Sequence, residues 1–174
     1  MINIRGKSIV LRALEPSDID AIYNWENNTD FWLISATSGP FSRHVLQQYI
    51  ESSHLDIYNT RQLRLVISLA DGSEDIGTID LFDFDPFNLR VGVGILIAEE
   101  QNRGKGYASE SMDLLIDYCF NHLGVNQLYC NVLSDNEKSI SLFESKGFSF
   151  IGTKKKWIRS GKKWLDENMY QLVN

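Results

Sequence analysis

Cysteine is scarce in this chain, two residues in 174, and that excludes a disulfide-stapled scaffold, which needs several pairs. Cys119 and Cys130 fall in a helical and a strand-like segment and read as small buried hydrophobes, not as a disulfide or metal site. Long apolar runs are missing as well. No stretch reaches the roughly 18 residues of a membrane helix, and Met1 to Lys7 lacks the apolar core of a secretory signal, so no membrane partner is expected and the cytoplasm is the expected compartment. A surplus of basic residues is also absent. Seventeen Lys and Arg against 23 Asp and Glu leave a formal charge of −6, which argues against a nucleic-acid partner, since such binding needs a basic face. With no internal repeat, low-complexity tract or linker, residues 1–174 read as one domain.

What is present is an apolar fraction of 43%, enough for a real core, arranged in alternating periods. Ser8 to Leu14 reads as a strand, and Ser17-Asp18-Ile19-Asp20 as a helix start with a Ser cap. A second helix is expected from Ser42, with Val45, Leu46, Tyr49 and Ile50 on one face, while Asn27 to Pro40 shows no period and reads as loop. Leu63–Leu69, Ile76–Phe84 and Arg90–Ile97 form a meander of three strands, linked at Asp71-Gly72 and Pro86-Phe87-Asn88. Met112, Leu115, Ile116, Cys119, Phe120 and Leu123 make a helical stripe that Gly124 stops. Gln127–Leu133 is a strand, Asn136–Lys146 a helix ended by Gly147, and Phe148–Ile158 with Lys163–Val173 a closing hairpin around Ser160-Gly161. The fold expected is α+β: a mostly antiparallel twisted sheet of about seven strands with four helices on its faces.

Between the apolar run Val93-Gly94-Ile95-Leu96-Ile97 and the long helix lies Arg103-Gly104-Lys105-Gly106-Tyr107-Ala108. A helix N-terminus offers unpaired N–H groups and partial positive charge. Two glycines let a ligand reach that backbone, and Arg103 and Lys105 add charge, so the stretch suits a phosphate cradle. A plain strand-to-helix turn that needs glycine for its dihedrals fits the same residues. A Walker loop is excluded, because no Gly-Lys-Ser/Thr follows, and so is a full Gly-x-Gly-x-x-Gly.

The stretch resembles the acetyl-coenzyme A signature of the GNAT N-acetyltransferase superfamily. Asn136-Glu137-Lys138-Ser139 through Gly147-Phe148 resembles that family's second cofactor-facing helix, and Leu11-Arg12-Ala13-Leu14-Glu15-Pro16-Ser17-Asp18 resembles the opening of the ribosomal-protein-alanine and spermidine N-acetyltransferase branch. The resemblance implies a sheet splayed between its fourth and fifth strands, with the pantetheine arm of acetyl-CoA in the gap. Leu96 and Ile97 would offer main-chain groups to that arm, residues Arg103, Gly104, Lys105, Gly106, Tyr107 and Ala108 would hold the pyrophosphate, and Asn136 and Ser139 would contact the arm. Asn136 also suits a helix cap. No metal is implied. The reaction would be direct attack of an amine on the thioester, the acceptor being a primary amine of a small molecule, polyamine-like, or a peptide N-terminus.

Two departures from the family pattern stand out. Phe143 occupies the position of the usual tyrosine proton donor, and Val91-Gly92-Val93 stands where relatives often carry a glutamate. Catalytic residues are therefore left unassigned, apart from Asp80 as a candidate base or amine contact. An exposed strand residue is the competing reading of Asp80, and Glu26 and Asp30 read as surface charges. Thr37-Ser38-Gly39-Pro40 lacks the acids that spermidine enzymes tend to carry there. Phe31, Trp32 and Phe41 suit either an acceptor pocket or core plugs, Trp157 and Trp164 are expected to pair across their hairpin, and Lys154 to Lys156 with Lys162 and Lys163 read as a solvated basic patch. The Ala98–Asn102 link suggests a bulge. A catalytically weak acyl-CoA-binding or sensing domain and a nucleotide-binding module are the alternative functions. The hairpin and the acidic surface permit a homodimer.

Overall fold

A computed structural model describes residues 4–174. Met1, Ile2 and Asn3, part of the segment read above for a signal, lie outside the described residues. Eight strands form one sheet: β1 (Ile4–Arg5), β2 (Ile9–Ala13), β3 (Leu63–Leu69), β4 (Asp75–Asp85), β5 (Arg90–Ile97), β6 (Gln127–Leu133), β7 (Ser149–Ser160) and β8 (Lys163–Val173). Their order is β1-β2-β3-β4-β5-β6-β8-β7. Every pairing is antiparallel except β5 with β6. The helices are α1 (Ile19–Glu26), α2 (Thr29–Ser35), α3 (Arg43–Ser52), α4 (Ile57–Thr60), α5 (Tyr107–Asp117) and α6 (Glu137–Ser145). The expected α+β architecture is present, and β1, α2 and α4 are additions to it.

Each face of the sheet buries its own apolar layer. Met112 and Leu115 of α5 and Phe143 of α6 pack with Ile67, Ile79, Val91, Val93 and Leu128 of the strands. On the other side Ile22 and Trp25 of α1, Phe31 of α2 and Leu46 of α3 cover Leu14, Val66 and Ala98. The α5 stripe changes pitch at its end: Tyr118–Leu123 forms a π turn, and Gly124 stops it at φ 71°, a conformation open to glycine at little cost.

Several local expectations are corrected. The segment read as loop contains α2, whose short length hides its period. Asn28 caps it by accepting from the Asp30 N–H, and Ala36 ends it in a left-handed conformation. Asn27 fixes the loop beyond, donating to Phe41 O at 3.1 Å and accepting from Phe41 N at 2.8 Å. Ser17 does not cap α1. Glu15 and Asp18 form a reciprocal capping box around a 3₁₀ turn, and that turn leads into the helix. The Ala98–Asn102 link is a 3₁₀ turn at Glu100–Asn102, not a bulge. Trp157 and Trp164 do not pair either. Arg159 stands opposite Trp164, and an irregularity between Lys154 and Ile158 carries Trp157 over Lys154 Nζ, 5.1 Å from the ring centre.

One buried ionic group joins four elements. Arg12 of β2 donates to both oxygens of Asp18 at 2.8 and 2.9 Å, to Asp75 at 2.6 Å and to Ser68 Oγ at 3.0 Å. The Asp18 hydrogen bond raises the Arg12 pKa above its ordinary value, against burial that lowers it. Asp18 is 7% exposed, so Arg12 balances a carboxylate that water barely reaches.

Candidate functional site

The sheet opens where β5 leaves β6. Their parallel pairing spans three positions, Arg90 with Gln127, Val91 with Leu128 and Gly92 with Tyr129. No pairing to β6 follows from Val93 to Ile97 among the described residues, which is the expected splay. Antiparallel alternation sets where the β5 main chain points. Ala98 N donates to Ile76 O at 2.9 Å, and the register places Leu96 opposite Thr78. The polar groups of Leu96 therefore face β4, while those of Ile95 and Ile97 face the gap. This corrects the expectation for Leu96, whose contribution to the site is its side chain on the cavity wall. The Ile97 carbonyl also points outward but accepts from Arg103 Nε at 3.0 Å, so its N–H is the group left to the gap.

Beyond β5 the cradle takes shape. Gly104 (φ 73°) and Gly106 (φ 87°) both adopt the left-handed conformation, and a Cβ added at either would meet nothing within 4 Å. Dihedral need and open approach thus coincide. Among the described residues, the N–H groups of Gly104, Lys105 and Gly106 donate to no main-chain carbonyl, and Tyr107 and Ala108 begin α5 with Gly106 as its cap. Asn102, immediately before, is 4% exposed, and its Nδ2 donor lacks a partner. A cluster of unsatisfied donors fits a diphosphate. Arg103 departs from its expected part. Its N–H donates to Glu100 O at 3.0 Å, and its guanidinium turns back to Ile97 O at 3.0 Å and Ala98 O at 2.9 Å. Arg103 thus braces the end of β5, and Lys105 is the cation left in the cradle.

A cavity of about 490 Å³ occupies the gap, lined by both halves of the molecule, a volume typical of small-molecule sites. From α6 come Asn136, Ser139 and Phe143. Asn136 is the cap of α6, its Oδ1 accepting from Ser139 N at 3.2 Å, so its amide nitrogen stays available. Phe143 is 4% exposed and packs edge-on against Phe148, 5.2 Å between ring centres.

The opposite wall carries an ionic group that sequence reading missed. Arg64 of β3 donates from Nε to Asp80 Oδ1 at 2.6 Å and from Nη2 to Asp80 Oδ2 at 3.3 Å, and its Nη1 reaches Glu26 Oε1. Tyr49 lies over the guanidinium, 5.6 Å from its ring centre. Asp80 is therefore no exposed strand residue, and Glu26 is no free surface charge: both line the cavity. Burial works against the charged form of Arg64, but the Asp80 carboxylate outweighs it and the pKa rises. Burial likewise raises the Tyr49 pKa, so its hydroxyl stays protonated at neutral pH. Asp83 and Asp85, the other acids at this end of β4, lie off the cavity lining, and Asp85 caps the turn by accepting from the N–H groups of Phe87 and Asn88. Phe31 is a core residue that also reaches the cavity, whereas Trp32 donates from Nε1 to Glu26 O at 2.9 Å. Arg64 itself had no signal, because β3 reads as a plain apolar strand in which one charge looks like a solvent-facing alternate.

Among the described residues there is no group of three or more potential metal ligands and no helix long and apolar enough to cross a membrane. Burial pushes both free thiols, Cys119 and Cys130, up to about 12, so they are unreactive packing residues.

Residues 8–149 match the family model described as an acetyltransferase (GNAT) domain. The spermidine N(1)-acetyltransferase of Escherichia coli (strain K12) is 30% identical over 148 residues, covering 83% of this chain and 75% of its own. The N-acetyltransferase 9-like protein of Nematostella vectensis is 38% identical over 156 residues, 84% of this chain and 77% of its own. Among solved structures, the spermidine N-acetyltransferase from Vibrio cholerae in complex with CoA and spermine aligns with a TM-score of 0.87 at 23% identity, covering 97% of this chain and 96% of that one.

Proposed function

The chain belongs to the acetyltransferase (GNAT) family, and we propose that its cavity brings a primary amine, from a small molecule or a protein N-terminus, against acetyl-CoA held in the β5–β6 gap. It is an N-acetyltransferase with acetyl-CoA as co-substrate. The observation that carries the proposed site is the three-position seam between β5 and β6, which ends beside a glycine cradle of unpaired amides.

Acetyl-CoA supplies the thioester. The N–H groups of Gly104 to Ala108 hold the diphosphate, and the amide nitrogen of Asn136 orients the arm. The outward N–H of Ile95 or Ile97 polarises the carbonyl, as main-chain donors do at developing oxyanions. An alkylamine of pKa ~10.4 arrives protonated, and its proton passes to the Asp80–Glu26 carboxylates directly or through water. The freed lone pair forms the C–N bond as the C–S bond breaks, and water relays the second amine proton from nitrogen to the departing thiolate, since Phe143 has none to give. Ser139 lies one helical turn before Phe143 and contacts the arm.

Mixing the protein with acetyl-CoA and a panel of primary amines should release free thiol in step with acetylated amine. Binding of the coenzyme by calorimetry with no turnover on any amine would leave an acyl-CoA-binding domain. A larger thermal shift with ATP than with acetyl-CoA would point to a nucleotide module.

A further inference from the structure

We propose that Arg64 is a built-in counter-cation that limits the acceptor to a single ammonium and excludes polyamines. The proposal rests on the amine-acceptor reading above. Three carboxylates line the cavity: Glu26, Asp80 and Glu167. Each is already held by a protein cation. Both oxygens of Asp80 accept from Arg64, Glu26 accepts from the same guanidinium, and Glu167 on the far wall is paired with Lys154. Three acids against two cations leave one net negative charge, which a single ammonium balances.

The other groups along the acceptor side supply no further acid. Leu33, Ile34, Ser35 and Ala36 at the end of α2 line the cavity, and Thr37-Ser38-Gly39-Pro40 beyond them are uncharged. The side chains of Arg64, Glu26 and Asp80 are 22%, 19% and 24% exposed, so water screens the guanidinium only in part. A second ammonium entering with a polyamine meets a fixed positive charge, in a cavity whose one unbalanced carboxylate charge the first ammonium has already met. Like charges a few ångströms apart in such surroundings are separated by an order of magnitude or more in affinity, roughly tenfold to a hundredfold. Tyr49 holds the guanidinium in place from above. Arg64 therefore acts by repulsion, and its effect is on choice of acceptor.

The test compares butylamine with spermidine, which match in alkyl spacing and differ in charge. In the wild type kcat/KM should favour butylamine by about tenfold or more. Arg64→Gln should move that ratio toward spermidine by about tenfold or more, and Arg64→Lys, which keeps the charge, should leave it near the wild-type value. A wild type that favours spermidine overturns the proposal, as does an Arg64→Gln variant that scales both amines equally. Should Arg64→Gln not fold, Glu26→Gln decides: it neutralises the remaining charge and must depress spermidine more than butylamine. Absence of thiol release with every amine tried sinks the acceptor reading itself, whereas release with spermidine preferred sinks only the role of Arg64.

Discussion

Two arginines in this molecule hold the same chemical position with opposite consequences. Arg12 sits between Asp18 and Asp75, and Arg64 between Glu26 and Asp80. Each is a guanidinium on an early strand that draws one carboxylate from the α1 region and one from β4. The Arg12 group is sealed on its Asp18 side, where the capping box and Ser68 leave that acid 7% exposed, whereas its Asp75 side chain is 32% exposed. The Arg64 group opens onto a cavity. A sealed ion triad fixes how elements meet, because a carboxylate stripped of its partner there has no water to turn to. An open one can exchange partners, so it sets the electrical character of a pocket. What separates structure from site is the space next to the triad.

The largest effect should follow from breaking the sealed group. Arg12→Met is expected to lower unfolding free energy by about 3–5 kcal/mol, read in denaturant melts, with the butylamine-to-spermidine ratio unchanged in whatever protein folds. Next, Asp80→Asn should lower kcat by about a hundredfold while lowering stability by about 1–3 kcal/mol. A stability loss matching that of Arg12→Met would erase the distinction between the two groups. Asp75→Asn should then cost about 1–2 kcal/mol with kcat intact, since Asp75 is the more exposed partner of Arg12.

The smallest effect lies on the alkaline side. Both arginine pKa values are raised, so neither triad discharges there. The thiols do change the balance: burial pushes the Cys119 thiol up to about 12 in the folded protein, against an ordinary value of 9.0. Above pH 9 the unfolded chain has released that proton while the folded one keeps it, so stability falls as pH rises from 9 toward 12. Cys119→Ala should flatten that slope, by about 1 kcal/mol between pH 8 and 10, measured as the difference in slope from wild type.

The strands, the two long helices and the cradle were legible because each depends on local period or local backbone need. Val91 and Val93 alternate, Met112 and Leu115 keep helical spacing, and Gly104 and Gly106 mark dihedrals that other residues avoid. The Asn136 cap could be read from its place in a turn. The acceptor wall could not. Arg64, Glu26, Asp80 and Tyr49 are brought together by packing of α1 and α3 over β3 and β4, and their sequence separations, 38 residues from Glu26 to Arg64 and 16 from Arg64 to Asp80, carry no periodic signal. The aim of Leu96 was missed for another reason: pairing alternation depends on register, and register appears only once the partner strand is in place. Arg103 looked like a ligand contact because charge beside glycine suggests one, yet two carbonyls at the strand end were nearer.

The seam between β5 and β6 has a mechanical consequence. Three rungs weld two slabs, one running from β1 to β5 and the other made of β6, β8 and β7. Any guest lodged in the wedge touches both slabs and so sets the angle between them. Stiffness in this protein is thus partly on loan from its cargo, and hydrogen exchange along Gln127–Leu133 is the gauge on which that loan would register.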